Sequence, residues 1–425
     1  MSSPTSDNAK STNPPANRPA KQAALNFIFF TILLDVLSLG LLIPVLPTLI
    51  EKEFVGGDTV RAVQISGWFG TTWALMQFIF SPLMGSLSDK FGRRSVILIS
   101  CFGLGLDYIL MALSPNLWWL FIGRVLSGIT AASFSTAAAY VADITPPEKR
   151  AASYGMYVGA AFGLGFVLGP AIGGLLGGVS LRLPLWCAAG LTLLNGLYGY
   201  FILPESLPPD RRSSFSWRKA NPLGSLKLLR SQKELLNLAL VFLIYQIAHQ
   251  VFQSVFVLYG SHRYGWSPEI VGLILTAVGV LAVIMQAFVV RRTAPVLGEW
   301  RMVIIALIAG GIGYAIYGIA PTGAVFCIAI PVFSLVGYFT PGLQALMTRR
   351  VPADSQGQLQ GANSSIMGIA GMIGPGVFSA VFSWAVRTES TVGMPGAPFF
   401  VAAGLHVVAI VVCYVVWPKK EALPA

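Results

Sequence analysis

The chain has 425 residues, 55% of them hydrophobic and only 11% charged, and its mean hydropathy is +0.71. No single water-shielded core could hide that much apolar surface, so a soluble globular protein is excluded. Strand-like alternation is absent, which excludes a membrane barrel and leaves helices, whose backbone groups pair without water. The formal charge of +11 would suggest nucleic acid in a soluble protein. Here the cations sit in loops between apolar runs, so the expected surroundings are a lipid bilayer, with no nucleic-acid partner.

Residues 1–22 are polar and Pro-rich and read as a disordered tail. They lead into an apolar span with no small-residue cleavage site, so no removable signal peptide is expected. Runs of about 20 apolar residues, each long enough to cross a hydrocarbon layer, then recur. They predict spans at about 23–46, 63–87, 95–114, 117–143, 151–177 and 184–203, then 235–259, 267–290, 301–320, 324–348, 357–386 and 397–417. The expected fold is an all-α membrane protein of twelve transmembrane helices in two six-helix halves related by a pseudo-two-fold. The halves are 23–203 and 235–418, with a polar linker at 204–234 and a tail at 419–425. Of the 28 Lys and Arg, 22 lie on the face that carries both termini and the linker, 5 lie opposite, and Arg124 falls inside a span. By the positive-inside rule the rich face is cytoplasmic, and the expected location is a bacterial inner (plasma) membrane.

The halves are faint copies at an offset of about 206 residues. The segment 146-PPEKRAASYG-155 lies over 352-PADSQGQLQG-361, 91-FGRR-94 over 297-LGEW-300, and Gly169-Pro170 over Gly374-Pro375, one residue out. An internal repeat in a membrane chain points to a secondary transporter. Its partners would be a small-molecule substrate and protons, with a monomer as the functional unit. Cys101, Cys187, Cys327 and Cys413 fall in apolar runs without metal spacing and read as packing residues. With no metal cluster, acid pair or nucleophile constellation, neither an enzyme nor a cofactor is expected.

Three ionisable groups lie deep in the first half: Asp35, Asp107 and Arg124. Each costs about 2.5–3.5 kcal/mol or more at a helix centre. Asp107 and Arg124 sit about 10 Å from the outer ends of helices 3 and 4, at 1.5 Å per residue. They are placed to pair, either as a structural ion pair or in coupling. Asp35 stands near the middle of helix 1, and the sequence places no Lys or Arg at its depth on the helices expected beside it. Such a carboxyl would stay protonated until a water path opens and then ionise, as a proton carrier does; a hydrogen bond to Thr31 or to helix backbone is the alternative. In helix 7, Gln246, His249, Gln250 and Gln253 form one polar stripe at i, i+3, i+4 and i+7, for substrate contact or for interhelical hydrogen bonds. Gln286 and Gln344 are further substrate candidates. With Asn363 they also read as packing partners, and His249 also reads as a locally satisfied histidine.

Residues 85-GSLSDKFGRR-94 fit G-x-x-x-D-[RK]-x-G-R-R between helices 2 and 3. This resembles the signature loop of the major facilitator superfamily. In helix 5, 165-GFVLGPAIGG-174 resembles the G-x-x-x-G-P-x-x-G-G motif of its drug/proton antiporters, and 35-DVLSLGLLIPVLP-47 resembles the leader of the tetracycline/proton antiporter group. The likeness continues through 107-DYILMALSPNLWWLFIGRVLSGIT-130, 140-YVADITPPEKRA-151 and 355-SQGQLQG-361.

Read physically, Gly85 and Gly92 permit a tight turn with close helix approach. Asp89 is placed for a helix N-terminus or a cation of the other half, and Arg93 and Arg94 for Asp143 at the end of helix 4. The resemblance implies that this cluster is a cytoplasmic gate. Gly165, Gly169, Gly173 and Gly174 make a flat face, while Pro170 removes a donor and bends the helix; the resemblance ties this motif to antiport. Tetracycline exporters carry a histidine in helix 8 and an aspartate in helix 9, where this sequence has Ala282 and Gly310, so the resemblance leaves substrate and coupling route open. The expected function is export of a small amphipathic compound, tetracycline-like or another drug, in exchange for protons by alternating access. Uptake or facilitated diffusion of a metabolite, and a receptor on the same fold, are the alternatives.

Overall fold

The computed structural model describes residues 18–130, 133–146, 154–215, 221–230, 232–352 and 355–416. Most of the N-terminal tail, most of the 146–155 repeat segment, part of the linker and the C-terminal tail lie outside the described residues. Among those described there is no strand.

Helix α1 is Arg18–Leu42, and a turn carries it into the short helical stretches Leu46–Leu49 and Ile50–Phe54. Then come α2 (Thr59–Phe91), α3 (Arg93–Ala112), α4 (Leu117–Thr130 with Ser133–Ile144), α5 (Ala160–Val179) and α6 (Leu183–Ile202). The second set is α7 (Lys233–Tyr264), α8 (Pro268–Ile284, running on through Met285–Val290) and α9 (Arg291–Ile319). It ends with α10 (Gly323–Ile328 through Phe339–Thr348), α11 (Gln356–Arg387) and α12 (Ala397–Val416). Nine described stretches are long and apolar enough to cross a membrane, one of them the merged α8–α9 rod; α2 and α4 complete the set of rods expected from the hydropathy.

Local chemistry sets the ends. The Asp58 carboxylate accepts from the Arg61 amide at 3.0 Å and caps α2. Gly265, at φ 66°, ends α7 in the left-handed conformation, and Pro268 follows at the start of α8. α2 overruns its expected span by about a turn at each end, because loss of hydrophobicity does not stop a helix. Gly92 stops it, at φ 101° and ψ 152°. Two hundred and six residues on, Gly298 breaks the α8–α9 rod at φ 71° and ψ 163°. The two glycines aligned in the sequence repeat share one unusual backbone conformation.

Packing repeats as well. α1 lies on α5 and α6 as α7 lies on α11 and α12, and α3 lies on α6 as α9 lies on α12. The halves meet along two seams, α5 with α8 and α2 with α11. Each seam is close at the end away from the linker. In the first, a β-carbon added at Gly174 would fall 3.0 Å from the Gly272 Cα, one at Gly279 would fall 2.9 Å from Val167, and Thr276 Oγ1 donates to the Val167 carbonyl at 3.3 Å. In the second, Ser383 Oγ donates to the Val60 carbonyl at 3.5 Å and Thr71 Oγ1 to that of Met372 at 3.2 Å. Toward the linker end the seams part: among the described residues no heavy atom stands within 4 Å of where a β-carbon would sit at Gly159, Gly163 or Gly85. Gly85 is thus helical and open rather than part of the turn, which Gly92 makes alone.

Gly92→Ala should therefore cost more than the ~1–3 kcal/mol of strain in this positive-φ, glycine-favouring region, because its β-carbon also meets the Glu205 carboxylate. Gly298→Ala has open space and should show the strain alone. Thermal melts of the two purified variants check the order.

Candidate functional site

Asp35 lies half-buried on α1, and glycines of α5 hold that stretch of α1. A β-carbon at Gly165 would fall 2.9 Å from the Leu33 carbonyl oxygen and from Val36 Cβ; at Gly169, 2.7 Å from the Gly40 Cα; at Gly173, 2.6 Å from the Leu41 Cα. The fourth motif glycine, Gly174, turns away from α1 and packs on α8 of the other half. The Pro170 carbonyl faces Gly272 across that seam, as the Pro375 carbonyl faces Gly67 across the other. Asp35 lies within electrostatic reach of Cys101 and Tyr108 on α3. The Thr31 hydroxyl is donated to Asn195 Oδ1 at 3.4 Å.

Asp107 and Arg124 are both buried and lie near each other, but they do not form the direct ion pair anticipated from their depth. Asp107 Oδ2 accepts from Ser127 Oγ at 2.7 Å, one helical turn beyond Arg124. The Arg124 guanidinium sits over the Trp73 ring of α2, 5.5 Å from its centroid, an arrangement that favours a cation electrostatically. Neither Asp107 Oδ1 nor Arg124 Nε has a hydrogen-bond partner among the described residues. The Ser127 signal, three residues after Arg124 on one helix face, was present in the sequence and was not read.

At the linker end, Arg93 is the hub. It meets Asp89 at 2.6 Å and Asp143 at 3.1 Å, and donates to Ser88 Oγ at 2.6 Å. Asp89 is thus paired within its own half rather than with the other one. Arg94 does not reach Asp143: it donates to the Tyr200 carbonyl at 2.6 Å and lies over the Tyr200 ring.

The start of the linker straps this cluster. Tyr140 donates to the Pro204 carbonyl at 2.9 Å, Ser206 Oγ to Asp143 at 3.2 Å, and the Ser213 amide to the Asp89 carbonyl at 3.1 Å. Glu205 accepts from the Arg93 amide at 2.8 Å, which places a carboxylate on the N-terminus of α3. In the second half the same two places, 206 residues on, carry Glu299 and Arg349, which pair with the charges exchanged.

The helix 7 stripe divides. Gln250 packs between α7 and α11, where a β-carbon at Gly374 would fall 2.5 Å from its Cγ. Gln253 is exposed, and Gln246 and Gln344 are half-buried. Gln286 is exposed and donates to the Gly337 carbonyl at 3.4 Å. His249 leaves the stripe for an aromatic cluster, stacked between Tyr245 and Phe333. Ala282 is exposed. Gly310 is buried, and the ring of His406, on α12, fills the space before it: an added β-carbon would lie 2.5 Å from Nε2. The sequence reading passed over His406, a lone histidine in an apolar run.

Along α5, Gly169→Ala should separate two backbones, costing about 1–3 kcal/mol and most of the activity, while Gly163→Ala meets open space and should keep both. Melting temperature and transport of the two variants, measured together, check this.

The profile of the Major Facilitator Superfamily matches residues 28–375. The chain is 37% identical over 393 residues to the class C tetracycline resistance protein of Escherichia coli, covering 91% of this chain and 95% of the relative. It is 37% identical over 356 residues to the class G tetracycline resistance protein of Vibrio anguillarum, covering 82% and 88%. Among solved structures, the nucleoside transporter NupG superposes with a TM-score of 0.73 at 13% identity, covering 94% of this chain and 100% of that one. The repeated helix packing, the Gly92 turn with its Arg93 cluster and the Gly-Pro seam thus meet a match that spans most of the sequence: the chain belongs to the Major Facilitator Superfamily, in the branch of the tetracycline resistance proteins.

Proposed function

We propose that the protein exports a small amphipathic, tetracycline-like drug from the cytoplasm in exchange for protons, by alternating access. The observation that carries this reading is the asymmetry of the two seams, close at one end and parted at the other. That is the geometry of a transporter open to one side. The excess of Lys and Arg at the linker end assigns that end, and both termini, to the cytoplasm. The structure is then the cytoplasm-open state. The substrate class rests on the relatives' names and on the aromatic and polar side chains of α7.

In this reading the two halves, 23–203 and 235–418, rock about the 204–234 linker, and the monomer is the working unit. Asp35 carries the proton, with Asp107 and Arg124 in support. When the linker end closes, the cluster of Asp89, Arg93 and Asp143 is the gate that comes against the other half. Gly165, Gly169 and Gly173 hold α1 to α5, while Pro170 and Gly174 lie on the edge of α5 that slides on α8. The substrate candidates are Gln246, Gln250, Gln253, Gln286 and Gln344. His249 stacks inside the aromatic cluster and is set apart from them.

One proton crossing inward draws about 2.3 kcal/mol from 100 mV and about 1.4 kcal/mol more per pH unit, together enough for a gradient of several hundredfold. Inverted membrane vesicles should accumulate the drug, and a protonophore should abolish the accumulation. Asp35→Asn should lose uphill transport by at least tenfold while keeping drug–drug exchange. Accumulation that persists in Asp35→Asn, or that ignores the protonophore, would sink the coupling role.

A further inference from the structure

At mid-height the membrane segments of the second half hold no Asp, Glu, Lys or Arg, the nearest being Glu269 and Arg301 at span ends, and two histidines, His249 and His406, stand there with the tyrosines. The structure brings the two together. His406 is 1% exposed, half-way along the 20-residue α12. Its Nδ1 lies 3.0 Å from the Ala402 carbonyl. A carbonyl only accepts, so Nδ1 carries the hydrogen and Nε2 presents a lone pair. That nitrogen packs against Gly310 and has no hydrogen-bond partner among the described residues.

Around it stand the fully buried Tyr314 of α9, ring centroid at 5.1 Å, and Tyr245 of α7, at 5.8 Å. Tyr245 in turn stacks on His249, 5.8 Å away. The Tyr314 hydroxyl and His249 Nδ1 likewise have no hydrogen-bond partner among the described residues. α10 faces the group with the apolar Val336 and Phe333. No carboxylate or fixed cation approaches from these segments.

The first half supplies an internal control. Its α6 packs on α1 as α12 packs on α7, but there Ser38 meets Thr192 at 3.2 Å and Thr31 donates to Asn195. Hydroxyls and an amide satisfy one another in the first copy. The second copy holds a basic nitrogen left open. A buried lone pair without a donor is destabilising, and packing alone gives no reason to keep one. α7, which carries Tyr245 and His249, also touches α2 across the halves.

We propose that His406 is a second proton-binding group of the transport cycle, with His249 and Tyr314 as its polar neighbours. One proton adds to Nε2 and makes the ring a cation while Nδ1–H stays on Ala402. When the proton leaves, the neutral ring returns, and no other bond changes. With no counter-charge nearby, the proton is held only in the conformation that lets water or substrate reach the ring.

The inference rests on the proton-driven reading, and the measurements separate the two. In inverted vesicles, substrate and proton fluxes are recorded together over about pH 5 to 8 for the wild type, His406→Gln and Tyr314→Phe. His406→Gln should move one proton fewer per substrate than the wild type and keep drug–drug exchange. Tyr314→Phe should keep the wild-type ratio and shift the pH midpoint. An unchanged ratio and pH profile in His406→Gln would overturn the inference while leaving Asp35 coupling in place. If His406→Gln does not fold, an unshifted midpoint in Tyr314→Phe overturns it instead. A wild type that moves drug without protons removes the reading beneath it as well.

Discussion

Two helices reach backbone contact only where β-carbons are missing, and the architecture depends on one such place, where Gly40 of α1 meets Gly169 of α5. In lipid no hydrophobic force drives helices together, so small residues and the dispersion contacts they permit set the approach. The α1 stretch that carries Asp35 is seated on α5 at Gly165, Gly169 and Gly173, on both sides of the carboxyl. The depth and facing of the acid are thus fixed by residues that carry no charge. In the second half the matching crossing has Gln250 over Gly374, a polar side chain where the first half has glycine, so the repeat preserves the crossing and varies its chemistry.

The same short motif also serves the boundary between halves. Gly174 and the Pro170 carbonyl face α8, while the Gly165, Gly169 and Gly173 edge faces α1. A helix tied to its own half along one edge and in contact with the other half along the next carries displacement from the seam to the acid through rigid backbone. The prolines suit the second edge, since a helix lacking one internal donor bends at little further cost.

Length and hydropathy were enough to read the apolar helical rods, because lipid allows so few backbone solutions. Motif spacing located the Gly92 turn and the Arg93–Asp143 contact. What stayed hidden follows from sequence distance. Glu205 meets the Arg93 amide across 112 residues, and Arg94 swings to Tyr200 rather than to the nearer-looking Asp143. The spacing of Asp107 and Arg124 along their helices says nothing of azimuth, so Ser127 takes the hydrogen bond a salt bridge was expected to make. His406 carries no periodicity, and its surroundings come from three separate helices.

The exchanged signs of Arg93–Asp143 and Glu299–Arg349 bear on how two copies of one ancestral unit drift apart. A reversal at either member alone would set like charges face to face, so both codons of one copy had to change together or through a neutral intermediate. The outcome is a molecule whose halves are no longer interchangeable: a tandem of two first halves would present cations at both equivalent corners. Polarity between the copies is therefore written into one pair of contacts in each copy.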